Sequence, residues 1–218
     1  IYSSDDGGST LVSRNQTLSL VTFRSIAIHP SNPAMSFGGT QDNGTQRRDN
    51  GGDGWTEIIT GDGNGIVFNP VNPDVFFTTY VYGTIFRWRS FGNEYLGSVA
   101  DNSTFGESQS GPRIAFYPPF VGNGVTPRLY FGTWRLFVSD DLGESWNAPA
   151  GTKDLTKGGF DTLSAIGVSS SDPDVIYTGS TQGLAQRLAG ARVLVLSTNQ
   201  PIAAEDQRFP EHDGFDFE

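Results

Sequence analysis

Ile66-Val67-Phe68-Asn69-Pro70, then Pro73, then Val75-Phe76-Phe77 spells a short apolar strand, a proline-bearing turn and a second apolar strand. The pattern occurs three more times. It reads Ile26-Ala27-Ile28-His29-Pro30 through Pro33 to Met35-Ser36-Phe37-Gly38, and Ile114-Ala115-Phe116-Tyr117-Pro118 through Pro127 to Leu129-Tyr130-Phe131-Gly132. The last copy runs from Ile166-Gly167-Val168 through Pro173 to Val175-Ile176-Tyr177-Thr178-Gly179. The leading isoleucines lie 40, 48 and 52 residues apart, part of the excess in the third unit reading as an insertion at 119–126. Two such strands cannot bury their faces alone, whereas four-stranded units stacked around an axis can. A period of roughly 40–50 residues with four strands per unit is the pattern of a β-propeller.

The sequence therefore predicts an all-β chain of four-stranded antiparallel blades, about four of them, in a propeller that is complete or partial. Each blade has an inner strand, a second strand and an outer hairpin. Units start near residues 20, 61, 109 and 161 of a propeller spanning 1–198, and 1–19 forms a hairpin completing another blade. One closure is to place that hairpin beside the strands around 164–168 and 174–179, giving a four-bladed ring. Residues 199–218 are acidic and read as a flexible tail.

The outer hairpin carries a second signal. Ser139-Asp140-Asp141-Leu142-Gly143-Glu144-Ser145-Trp146 fits the frame S-x-D-x-G-x-[ST]-W at every fixed place. Ser4-Asp5-Asp6-Gly7-Gly8-Ser9-Thr10-Leu11 fits except for Leu at the Trp place. Residues 48–55 keep Gly52 and Trp55, and residues 88–95 keep Gly92 and an aromatic, Tyr95. The chemistry is local: an Asp carboxylate accepts backbone N–H bonds across its own turn, Gly supplies a positive φ, and Trp buries a large face on the neighbouring sheet. Ser4, Asp6, Gly8, Ser139, Asp141, Gly143 and Trp146 are accordingly structural.

These boxes resemble the Asp-box (BNR-repeat) propeller families: bacterial secreted BNR-repeat proteins, sortilin-like domains and two-propeller xyloglucanases. The run Gly38-Gly39-Thr40-Gln41-Asp42-Asn43-Gly44-Thr45, with Gly61-Asp62-Gly63, is similar to the bacterial secreted members. The likeness covers residues 1–183 and implies a propeller of six to ten blades or two of seven, carbohydrate as a ligand, and an extracellular or periplasmic location. The chain has fewer blades than that, opens in mid-repeat and shows no signal-peptide run ahead of its first unit, so it reads as a truncated member. After Gly183 the pattern fails: 184–192 carries no box, although Val193-Leu194-Val195-Leu196 suits a strand.

Composition narrows the function. The net charge is −10, from 24 acidic and 14 basic residues, which lacks the cationic footprint nucleic-acid binding needs. There is no cysteine, hence no disulfide and no thiolate metal site. No apolar run approaches the roughly 20 residues needed to span a bilayer as a helix. With two histidines that do not pair, a zinc site is not expected.

Candidate site residues sit on loops at one end of the strands. The loop after the second strand is three residues longer in units one and two than in unit three, comparing Gly38–Trp55 and Thr78–Tyr95, both 17, with Gly132–Trp146, 14. The first loop carries Gln41, Asp42 and Asn43, the second Tyr80 and Tyr82, and Asp62 precedes an inner strand. Asp42 and Asp62 could pair as acid and base in glycoside hydrolysis. With Asn43 and Asn64 they could offer oxygens to Ca2+, but the spacing fits no EF-hand and no metal or other cofactor is expected. Both also sit where Asp is an ordinary turn residue. Tyr80, Tyr82, Trp88 and Trp134 could stack on sugars or pack internally. Six arginines (Arg24, Arg87, Arg89, Arg113, Arg128, Arg135) lie outside the F/Y-R-I-P sequence of sialidases. The favoured reading is a non-catalytic scaffold whose loops, Gln41, Asp42, Asn43, Asp62, Tyr80 and Tyr82 among them, bind a glycan or a protein. The alternatives are a glycoside hydrolase using Asp42 and Asp62, and an inactive remnant. Open blade edges would also allow self-association.

Overall fold

The computed structural model describes residues 2–14, 21–49, 52, 54–108, 112–189 and 192–196. It is built almost wholly of antiparallel strands, and every strand pairs with its neighbours in sequence. A hairpin of β1 (Tyr2–Ser3) and β2 (Val12–Ser13) comes first. The first blade is β3 (Thr22–His29), β4 (Asn32–Gln41), β5 (Thr45–Arg48) and β6 (Thr56–Ile59). The second is β7 (Ile66–Phe68), β8 (Phe76–Thr79), β9 (Ile85–Arg89) and β10 (Glu94–Ala100). β11 (Phe120–Gly122), β12 (Leu129–Gly132) and β13 (Leu136–Ser139) make the third, where a Val138–Asn147 bridge takes the fourth strand's place. The fourth is β14 (Leu163–Val168), β15 (Val175–Ser180), β16 (Ala185–Ala189) and β17 (Arg192–Leu196).

Alternation along each strand sends side chains to both faces of a blade, so each blade can pack on the one before and the one after. Three apolar cores result, one per junction. Met35 and Phe37 of the first blade meet Phe76 and Trp88 of the second. Val67, Phe77 and Ile85 of the second meet Phe120, Leu129, Phe131 and Phe137 of the third. Tyr130 and Leu136 of the third meet Leu163, Ile176 and Leu188 of the fourth. The inner strands neighbour one another in the order β3, β7, β11, β14, as blades around an axis do. At about 25 cal/mol per Å2, an aromatic such as Phe37 or Phe77 contributes roughly 2–3 kcal/mol to its junction.

The turn at 139–146 shows why its residues are spaced as they are. The Ser139 hydroxyl donates to Asp141 Oδ1 at 2.9 Å and accepts from the Gly143 N–H at 2.9 Å. Asp141 then accepts the Ser145 N–H at 2.8 Å and the Ser145 hydroxyl at 2.5 Å. Together these bonds hold the Asp141 carboxyl below its ordinary value, those from Ser145 most strongly.

Two expectations differ from the structure. The third unit's inner strand is not Ile114–Tyr117 but Phe120–Gly122, inside the supposed insertion, registered Phe120 to Phe131 and Gly122 to Leu129. Pro118 and Pro119 lack the N–H a ladder needs, so pairing begins only after them. Residues 114–117 become a non-strand segment in which Ile114 enters the core and Phe116 stays exposed. The second difference concerns the last blade. Its outer places are filled by β16 and β17, so the pattern continues past Gly183, and the 2–13 hairpin forms a sheet of its own rather than completing that blade. The tail at 199–218 lies outside the described residues.

Candidate functional site

Four segments converge at the end of the blades where each inner strand begins. They are the β4–β5 loop at 42–44, the β6–β7 connection at 60–65, the β8–β9 loop at 80–84 and the segment 114–118. Backbone bonds lash them together: Gly63 N–H to Thr40 C=O at 2.9 Å, Gly44 N–H to Gly61 C=O at 2.5 Å, and Tyr82 N–H to Phe116 C=O at 3.0 Å. The Asn64 amide donates to Pro118 C=O at 3.0 Å. Gly39 is required here, because a Cβ would stand 2.0 Å from the Asn64 carbonyl oxygen.

Asp62 is the hub. Its Oδ1 accepts the Asp42 N–H at 3.1 Å and the Tyr117 hydroxyl at 3.0 Å. Asp42 adopts φ 60, the left-handed region that Asp tolerates better than most residues. Burial pushes the Tyr117 phenol up, and the Asp62 and Asp42 carboxylates oppose its ionisation further, taking it to about 12 against a smaller opposing effect of Arg24. The phenol is therefore a permanent donor at neutral pH. The Arg24 guanidinium lies 4.5 Å from the Tyr117 ring centroid.

The aromatic residues divide. Tyr80 packs on Gly61, where a Cβ would come within 2.6 Å of its ring. Tyr82, at φ 55, stands edge-on to Phe116 with centroids 5.4 Å apart, and Phe116 meets Tyr117 at 4.8 Å. Tyr82 is 36% exposed and Phe116 45%, so this pair forms an open apolar rim beside the carboxylates. Trp88 is instead a core residue, donating to Thr78 Oγ1 at 2.9 Å. Trp134 is covered by Arg113 and Arg135, 4.9 and 4.7 Å from its ring centroid, and its indole N–H is held by Glu107 at 2.5 Å.

The predicted residues thus gather: Asp42, Asp62, Tyr80 and Tyr82 meet, with Gln41 and Asn43 exposed on the same loop. The Asn43 amide donates to its neighbour's Gln41 C=O at 2.9 Å. Among the described residues no group of three or more His, Asp or Glu is placed to hold a metal ion. Sequence reasoning missed Tyr117, Phe116 and the role of Arg24. Residues 114–117 looked like an ordinary strand, and nothing in their spacing marks them as loop residues facing Asp62.

A second cluster binds the third and fourth blades. Arg113 pairs with Asp154 at 3.0 Å and donates to Thr156 Oγ1 at 2.9 Å and Asp161 C=O at 3.2 Å. Asp161, 0% exposed, accepts the Lys157 N–H, the Thr181 hydroxyl and the Gln182 N–H. Burial raises its carboxyl, but these bonds outweigh that and hold it at about 2. Every polar group of Asp161 is spent on neighbouring backbone and Thr181, which makes it a clamp between connections.

A chain of meandering four-stranded blades with functional loops at one end is a β-propeller. No family model matches the sequence, and no curated protein matches it. Solved structures do resemble it. The GH74 enzyme of Niastella koreensis superposes with a TM-score of 0.59 at 16% identity, covering 82% of this chain and 30% of that one. The GH74 xyloglucanase of Xanthomonas campestris gives 0.61 at 14% identity, over 83% and 31%. An ancestral GH74 enzyme gives 0.62 at 16%, over 80% and 25%. At such identities the likeness is one of fold, and this chain spans between a quarter and a third of those chains. Among the described residues no helix is long and apolar enough to cross a membrane.

Proposed function

We propose that this propeller is a non-catalytic glycan-binding module of the Asp-box type, working outside the cytoplasm, with its site on the loops around Asp62. The observation that carries the reading is the exposed Tyr82–Phe116 pair standing beside a polar group of Asp42, Asp62 and Tyr117. Sugar rings present apolar faces to aromatics and hydroxyl edges to carboxylates, and this site offers both within one set of loops. Asp62 already accepts two hydrogen bonds through one oxygen and keeps the other for a ligand hydroxyl. Resemblance of fold to xyloglucan-cleaving enzymes supports a plant-type β-glucan as the first ligand to try.

The test is calorimetric titration with a xyloglucan oligosaccharide. Phe116→Ala should weaken binding about three- to tenfold, the value of one aromatic contact, without lowering the unfolding midpoint. An unchanged affinity would remove this rim from the site. The second reading, hydrolysis by Asp42 and Asp62, draws on the two carboxylates meeting through the Asp42 N–H. Release of reducing ends by the wild-type chain, abolished in Asp62→Asn, would replace the binding reading with that one.

A further inference from the structure

Each internal blade junction is built on one cross-strand pair. Phe37 opposes Arg47, Phe77 opposes Arg87, Tyr130 opposes Val138 and Tyr177 opposes Arg187. The aromatic of the first three pairs is sealed by the next blade: Phe37, Phe77 and Tyr130 are 0% exposed, whereas Tyr177 is 36% exposed.

The arginines do a matching job. Arg47 reaches the outer turn of the second blade, donating to Phe91 C=O at 2.8 Å and Asn93 Oδ1 at 2.9 Å. Arg87 reaches the same turn of the third blade, donating to Leu142 C=O at 3.3 Å and Glu144 Oε1 at 2.6 Å. Both acceptor carbonyls belong to the residue with positive φ, 57 at Phe91 and 62 at Leu142. Arg187 stands where Arg47 and Arg87 stand, yet it has no hydrogen-bond or ion-pair partner among the described residues.

The missing acceptor exists elsewhere in the chain. In the turn 4–11 the residue at the Leu142 place is Gly7, with φ 70. That hairpin is bare as well: Tyr2, Leu11 and Val12 are 63%, 66% and 50% exposed. One molecule thus carries both halves of a blade junction, unpartnered, at opposite ends of its sequence.

We infer that the outward face of the fourth blade, Tyr177 and Arg187 with Ala165 and Gly167, is a docking surface for the N-terminal hairpin of a second copy of this chain. The contact is heterologous and head-to-tail. Arg187 donates to the Gly7 carbonyl of the arriving turn, and Tyr177 is covered by its apolar side chains. Two unlike, complementary ends on one chain make an identical chain the natural occupant. The hairpin's turn has Ser9 where the third blade has Glu144, so the ion pair that Arg87 enjoys is absent and the association is weak.

Sedimentation velocity on the purified 218-residue chain over a concentration series is the test. The wild type should show concentration-dependent association. Arg187→Glu should abolish it, and Ser9→Glu, which supplies the carboxylate Arg187 lacks, should tighten it about two- to fivefold, the range of an exposed ion pair. Both positions are at the surface, and unfolding midpoints check that neither variant unfolds. Association that ignores both substitutions would overturn the proposal by placing the contact elsewhere. A monomer at every concentration would overturn it too. If Ser9→Glu then raised the unfolding midpoint of that monomer, the hairpin would be docking on its own fourth blade.

Discussion

The turns at 139–146 and 4–11 are wired alike and live in opposite surroundings. In the second, the Ser4 hydroxyl donates to Asp6 Oδ1 at 2.8 Å and accepts the Gly8 N–H at 2.8 Å. Asp6 accepts the Thr10 N–H at 2.8 Å and the Thr10 hydroxyl at 2.7 Å. Bond for bond this repeats Ser139, Asp141, Gly143 and Ser145. Yet Ser139 is 0% exposed and Trp146 packs edge-on to Phe105 and Phe131, at 5.4 and 6.4 Å. Leu11, at the Trp place, is open to solvent. The hydrogen bonds of the motif therefore set the turn by themselves, and the aromatic at its end decides whether the turn also holds two blades together.

The largest effect should come from the aromatic place. Trp146→Ala is expected to cost about 2–4 kcal/mol by urea unfolding, as for other large core truncations, while Leu11→Ala should leave the midpoint within error. Equal losses would mean that the hairpin is as well packed as the internal turn. Gly143→Ala comes next, at about 2 kcal/mol. It combines φ 89 with a new Cβ 2.8 Å from Val99, whereas Gly8→Ala meets only its φ of 93, with nothing within 4 Å, and should cost about 1 kcal/mol. A larger loss at Gly8 would reveal a neighbour covering the hairpin.

The smallest effect is a titration. Bonds from the Thr10 hydroxyl and N–H, and from the Ser4 hydroxyl, hold Asp6 down at about 2. A lowered folded value means the carboxylate's contribution is complete above the ordinary carboxylate range near 4 and is lost as pH falls through about 2. The Thr10 amide resonance should follow that midpoint. A midpoint near 4 would mean the turn does not hold its bonds without a neighbour.

Much of this was legible in the residues. The spacing of Ile26, Ile66 and Ile166 located three inner strands, because alternation around a proline turn survives in any blade. The box at 139–146 announced its own hydrogen bonds, which depend on residues within one turn. Legibility failed where tertiary context overrides local pattern. Ile114-Ala115-Phe116 has a strand's alternation, but Pro118 and Pro119 move the pairing to Phe120, and Tyr117 becomes a partner of Asp62 across 55 residues of sequence. The last outer hairpin was hidden differently. Its strand Ala185–Ala189 carries Gln186 and Arg187, and its polar half is understood only against the arginines of earlier blades.

The uninterrupted meander has a kinetic consequence. Every ladder joins strands that follow one another, so no pairing waits for a distant segment to arrive, and loop-closure costs stay small throughout. Such a chain can organise blade by blade, each finished sheet presenting a template of aromatic and arginine to the next. Assembly should therefore proceed quickly for an all-β chain and stall, when it stalls, at a junction between blades rather than within one.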